Sequence, residues 1–188
     1  MKIGNKGLIL AGSRGDILIQ RNAHGIPVIK ANSRDDLARG MGYMHAMDRQ
    51  LQVLLTRLLV NGRAAECLAG DAALVEIDRY MRRINFLPDA ESEIAKLDDD
   101  LLGQAKAYVD GFNQCLDKNG PVMEFRLLKY RPEPLELRDT LMIAKIMGFI
   151  GLGDAQGAME KLIVQMIQHG VEERKLRELF PYLGDRID

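Results

Sequence analysis

An α+β fold, mostly helical with a small strand element at its front, is what the sequence predicts, and three observations carry that reading. Two short β-branched runs flank a turn near the N-terminus, apolar residues then recur at three- and four-residue steps, and glycine or proline punctuates the helical runs. A chain of 188 residues suits one hydrophobic core, so residues 1–188 are read as a single domain. With 47% hydrophobic and 28% charged residues the composition is that of a globular chain, which excludes disorder as its main state.

The first element is Ile17-Leu18-Ile19-Gln20-Arg21, a turn at His24-Gly25-Ile26-Pro27, then Val28-Ile29-Lys30-Ala31. Two strands alone are marginal in water, so this hairpin is expected to join a larger sheet; a helical domain with a hairpin appendage is the alternative. Ser33 is placed to cap the next helix, with Asp35 and Asp36 at the positive end of its dipole. Leu37, Met41, Met44, Leu51, Leu55 and Leu58 make its apolar stripe, and Asn61-Gly62 stops it. A second helix is marked by Leu101, Leu102, Ala105, Tyr108, Val109, Phe112 and Leu116, ending at Asn119-Gly120-Pro121. Pro132 and Pro134 punctuate an extended linker. A third helical run over residues 138–149 is expected to falter at Gly148 and Gly151. Helical spacing resumes with Met159, Leu162, Ile163, Met166 and Ile167, stops at His169-Gly170, and returns as a short charged helix over residues 172–180.

Charge and hydropathy narrow the function classes. Lys and Arg number 26 against 27 Asp and Glu, a net charge of −1, so no positive field exists to attract nucleic acid or anionic lipid. The longest apolar run, residues 141–152, is broken by Lys145, Gly148 and Gly151 and falls short of the roughly 20 residues that span a bilayer. The first seven residues lack the apolar run of an export signal, which predicts a cytoplasmic chain, or a periplasmic or secreted one if a leader has been removed. Cys67 and Cys115 fit neither a disulfide framework nor a metal knuckle and are read as free thiols.

No complete catalytic constellation emerges from the residues. Ser13, Ser33 and Ser92 stand in no nucleophile elbow. His45 and Asp48 share a helix face, but a metal site would need His24 and Glu66 to converge on them. Gly12-Ser13-Arg14-Gly15 lacks the lysine of a phosphate-binding loop, and the methionines fall mostly at helical spacing as core filler.

Two segments nevertheless carry a pattern: Arg21-Asn22-Ala23-His24-Gly25-Ile26-Pro27-Val28-Ile29-Lys30-Ala31, and Gly40-Met41-Gly42-Tyr43-Met44-His45-Ala46-Met47-Asp48-Arg49-Gln50-Leu51-Gln52. The pattern continues through Arg57, Asn61-Gly62-Arg63, Ala65-Glu66, Leu68-Ala69-Gly70, Asp78-Arg79, Tyr108, Gly111, Asn113 and Glu124-Phe125. It closes with Tyr130-Arg131-Pro132-Glu133-Pro134, Asp139 and Glu178-Leu179-Phe180-Pro181. In this order the motifs resemble the penicillin acylase family of N-terminal nucleophile hydrolases, and the chain looks like their smaller, α subunit. It departs from that family at Asn22, Val28, Met47 and Leu58, where Asp, His, Gln and Arg are usual.

The resemblance implies a four-layer αββα fold completed by a β subunit from the same precursor, which cleaves itself. The nucleophile would be the β subunit's new N-terminal residue, usually Ser, so no catalytic residue is expected in this chain. The reaction implied is hydrolysis of an acyl-amide bond in a small acylated amine: a penicillin, a cephalosporin, an N-acyl homoserine lactone or a related compound. By the same resemblance Met147, Gly148, Gly151 and Leu152 line the acyl pocket, the glycines leaving room for the acyl group; close helix packing is the other reading of those glycines. Glu160 becomes a candidate ligand for a structural calcium, or else a solvated charge. Asp48, Arg49, Arg57, Arg63 and Glu66 are expected to form a structural network. The chain's last residues, 184–188, follow closely on the Phe180-Pro181 motif, as in a trimmed α subunit. A family-derived subunit that has lost catalysis and serves in binding or structure is the alternative, and an independent helical interaction domain a third.

Overall fold

The computed structural model describes residues 7–181, and the start and the 184–188 end on which the export and trimming expectations rest lie outside the described residues. The element order is β1 (Leu8–Ala11), β2 (Asp16–Arg21), β3 (Pro27–Lys30), α1 (Arg34–Val60), α2 (Ala64–Cys67), α3 (Ala72–Ile84), α4 (Leu87–Ile94), α5 (Asp99–Asn119), α6 (Met123–Leu127), α7 (Leu137–Gln168) and α8 (Glu173–Leu179). The chain divides into two compact units, residues 1–144 and 145–188.

In the first unit the hairpin is joined by a strand absent from the sequence reading, β1, giving an antiparallel sheet in the order β1-β2-β3. Register places Leu8 opposite Ile19 and Ile19 opposite Ile29, with Leu10 opposite Ile17, so one sheet face is a row of branched apolar side chains. Leu10, Ile17 and Ile19 are fully buried there, while Ile9 and Val28 on the alternate positions are exposed.

The apolar face rests on α1, which Ser33 caps as its hydroxyl accepts from the Asp36 N–H at 3.1 Å. At 27 residues this helix is about 40 Å long, and it ends at Asn61 with Gly62 left-handed at φ +61°. Its principal partner is α5, and glycine sets their separation. A Cβ on Gly42 would lie 1.9 Å from the Tyr108 carbonyl oxygen, and one on Gly111 would lie 1.9 Å from that of Arg39. The backbones therefore touch in both directions, and the core of Tyr43, Met44, Leu54, Phe112, Cys115 and Phe125 closes around that contact. Burying each of the larger side chains contributes roughly 1.5–3 kcal/mol.

Two buried or half-buried amides tie the loops down. Gln50 donates to the Gly120 carbonyl at 3.3 Å and accepts from the Val122 N–H at 2.6 Å. Asn113 donates to the Leu135 carbonyl at 2.9 Å and accepts from its N–H at 2.7 Å, fixing the proline-bounded linker to α5. Helices α2, α3, α4 and α6 were not anticipated; α2 is a single turn, capped by the buried Asp78 of α3, which accepts from the N–H groups of Ala64 and Ala65 at 2.9 and 2.8 Å.

One expectation is corrected. The helical run does not falter at Gly148 and Gly151: α7 continues through both to Gln168. Glycine lowers helix propensity by about 1 kcal/mol, which weakens a helix locally without ending it when no proline or competing cap is present. The stop at Gly170, with φ +76°, is where the sequence reading placed it. No helix among the described residues is long and apolar enough to cross a membrane.

Candidate functional site

The four residues read as acyl contacts lie on one stretch of α7. Met147 and Leu152 are 61% and 73% exposed, and nothing in the described chain lies within 4 Å of a Cβ built on Gly148 or Gly151. Neither glycine is pressed against another described residue, in contrast to Gly42 and Gly111. Beyond them Met159, Leu162, Val164 and Ile167 are also exposed, a long apolar helix surface open to solvent. Alone, this stretch carries no nucleophile, base or oxyanion donor; it can supply an apolar wall and nothing more.

Three of the five charged residues expected to form a network do meet, and they meet through two that sequence reasoning did not assign to it. The buried Arg57 donates from Nη1 to the Glu133 carbonyl at 2.9 Å and pairs through Nε with Asp139 Oδ2 at 3.0 Å. Arg63 holds Glu66 in a two-pronged pair at 2.9 and 3.2 Å and reaches Glu133 Oε2 at 3.0 Å. Hydrogen bonds from Arg63 keep the carboxyls of Glu66 and Glu133 below their ordinary range, and those two carboxylates hold the guanidinium above its own. Asp139, in the first turn of α7, also accepts from the Glu136 N–H at 2.9 Å, so the network fastens the beginning of that helix to α1. Glu133 and Asp139 were in the motifs, but their partners are 70 or more residues away, a distance no local pattern reports.

Asp48 and Arg49 belong elsewhere. Asp48 Oδ1 pairs with Arg21 Nη2 at 2.5 Å, and Arg21 also donates to the Gly25 carbonyl at 2.8 Å, tying the β-turn to the middle of α1. Arg49 is exposed and leaves helical geometry, with φ −134° and ψ 18° inside α1. These residues, with His24, Ile26, Pro27, Met44 and His45, surround a recess of about 370 Å³. His24, His45 and Asp48 thus do share a rim, while Glu66 is held by Arg63, and no group of three metal-ligating side chains forms among the described residues.

Glu160 is on the exposed part of α7, where its Oε1 accepts from the Gln156 amide at 2.8 Å. A calcium ion takes six to eight oxygens, and the described residues gather no such set around this carboxylate. Cys67 and Cys115 are both free.

A second polar cluster escaped sequence reasoning. Asp36, read as a dipole partner, is buried and accepts from the Ser13 N–H, the Ser13 hydroxyl and the Arg14 N–H at 2.6, 3.0 and 3.0 Å. Burial pushes its carboxyl up, but the hydrogen bonds from Ser13, Arg14 and Ser33 outweigh it and hold the pKa at about 2.

Comparison with known proteins places this architecture. Penicillin acylase 2 proenzyme of Pseudomonas sp. strain SE83 is 31% identical over 171 residues, covering 90% of this chain and 22% of the relative. Acyl-homoserine lactone acylase QuiP of Pseudomonas aeruginosa is 32% identical over 178 residues, covering 94% of this chain and 20% of the relative. The chain therefore spans about a fifth of the length of the curated relatives it matches. A solved structure of a thermostable penicillin G acylase from Alcaligenes faecalis superimposes with a TM-score of 0.66 at 25% identity, covering 92% of this chain and 94% of that one. The sequence profile described as penicillin amidase matches residues 16–185, and with that span the chain belongs to the penicillin amidase family.

Proposed function

We propose that this chain is the α subunit of an autoprocessed amidohydrolase that cleaves the amide of small acylated amines such as penicillins, cephalosporins or N-acyl homoserine lactones. The observation that carries the reading is one of length: the chain matches a fifth of each long relative, yet nearly all of one chain in a solved penicillin G acylase. A subunit cut from a precursor has that signature, and the name proenzyme on one relative agrees with it.

In this reading the β subunit begins with the nucleophile, whose own α-amino group, of pKa about 8, removes the hydroxyl proton through water. The acyl group is transferred to that oxygen, the amine leaves, and water releases the acid. This chain contributes one wall of the acyl pocket through Met147 and Leu152, with the missing side chains of Gly148 and Gly151 giving the acyl group its space. The three-stranded sheet and the apolar surface of α7 are the faces the β subunit would cover in a four-layer αββα arrangement. A structural calcium would draw one oxygen from Glu160 and the others from the β subunit; no step of the reaction runs through it.

The test is to express the full gene and determine the intact mass and N-terminal sequence of every polypeptide that co-purifies with this chain. A larger partner beginning with Ser, Thr or Cys is the expected result, and Gly148→Phe should then shift activity toward shorter acyl groups. A partner with another first residue would move the assignment to a binding or structural subunit, and this chain alone would overturn the subunit reading.

A further inference from the structure

The recess between the β2–β3 turn and the middle of α1 has a composition that points to a ligand. Arg21 and Asp48, both lining it, neutralise each other at 2.5 Å, and Arg21 is further committed to the Gly25 carbonyl. The Arg49 side chain, which lines the recess, has no hydrogen-bond or ion-pair partner among the described residues. Its backbone departs from helical dihedrals in the middle of a 27-residue helix, with neither proline nor glycine at that position to cause the departure. The Asn22 side chain, which could otherwise approach as an acceptor, is committed to the N–H groups of His24 and Ile26 at 3.0 and 2.9 Å. His45 is likewise held, Nδ1 against the Tyr108 hydroxyl at 2.8 Å. The recess therefore offers one uncommitted positive charge beside the apolar Ile26 and Pro27, with the buried Met44 behind them, in a concavity of about 370 Å³.

We infer that this recess binds a carboxylate carrying an apolar group, with the Arg49 guanidinium as its ion-pair partner and Ile26 and Pro27 against its hydrocarbon part. A guanidinium matches a carboxylate in a planar, two-hydrogen-bond geometry, and among the described residues Arg49 is the one lining cation whose charge is not already paired. Two sources supply that chemistry: a free short-chain acid, or an Asp or Glu side chain of a partner polypeptide. The free-acid source rests on the proposed function, since amide hydrolysis releases such an acid, but its binding requires no turnover and can be measured whether or not the protein hydrolyses amides.

The experiment uses the full-length protein and sodium hexanoate as probe, titrated calorimetrically into the natural protein, Arg49→Gln and Ile26→Ser, with sodium acetate for comparison. For a free acid, hexanoate binds saturably, Arg49→Gln weakens it about tenfold or more, and Ile26→Ser removes its advantage over acetate. For a partner carboxylate, hexanoate finds the site filled and does not bind, while Arg49→Gln lowers the melting temperature and Arg49→Lys retains it. Hexanoate binding that is equal in the natural protein and Arg49→Gln overturns the proposal. So does absence of binding with equal melting temperatures.

Discussion

Asp36 shows how much one side chain can do in a chain whose helices are individually ordinary. It stands in the first turn of α1 yet serves the loop between β1 and β2, accepting three hydrogen bonds from Ser13 and Arg14 while buried. Its folded-state pKa of about 2 lies below the ordinary 3.8, so its contribution to stability is present above pH about 4 and is lost as pH falls toward 2. Asp36→Asn should lower stability by about 2–4 kcal/mol at neutral pH and flatten that acid limb, read from melting temperatures across pH 2–7. Arg57 makes a second case. Its partner Asp139 is as buried as itself, so Arg57→Met should cost about 3–5 kcal/mol, whereas pairing it with Asp139→Leu should recover much of the loss. A loss in the double variant equal to the sum of the two single-variant losses would show that the pair is not coupled.

Among the elements, the glycines divide into two kinds that the sequence alone does not distinguish. Gly42 and Gly111 sit where α1 and α5 touch, each with a carbonyl oxygen 1.9 Å from the place a Cβ would take. Gly148 and Gly151 sit in open space on a helix that runs on through them. Gly42→Ala must push two long helices apart and should destabilise by more than about 3 kcal/mol, yielding little soluble protein. Gly148→Ala should be neutral or stabilising by up to about 1 kcal/mol, because alanine is the better helix former and meets nothing. Comparing the soluble yield and melting temperature of the two variants checks both statements. A destabilising Gly148→Ala would instead place another chain close against that point of α7.

For the whole molecule, the exposed apolar residues of α7 and the outward sheet face with Ile9 and Val28 are the surfaces that the proposed β subunit would cover. Residues 1–188 produced without the rest of the protein should bind a hydrophobic dye and aggregate, and co-expression with the remainder of the gene should suppress both. Asp48→Ala, which strips Arg21 of its carboxylate and loosens the β2–β3 turn from α1, is expected to block maturation or assembly; normal processing in that variant would count against it. Much of this architecture was legible in the sequence. The hairpin, the Ser33 cap, the glycine stops after α1, α5 and α7, and the family motifs are local or ordered along the chain, and local backbone preference and apolar periodicity are properties a sequence carries directly. Helices α2, α4 and α6 and strand β1 were not legible, being short and held by contacts such as that of Asp78 with α2, whereas α3, 13 residues long, amphipathic and capped by Asp71, carried a local signal that the sequence reading passed over. Only the tertiary structure decided that Arg57, Arg63 and Glu66 meet through Glu133 while Asp48 pairs with Arg21, and which glycines are pressed between helices and which stand open. Those outcomes depend on groups as far apart as Arg57 and Asp139 being brought to 3.0 Å, and only the packing of the folded chain determines that.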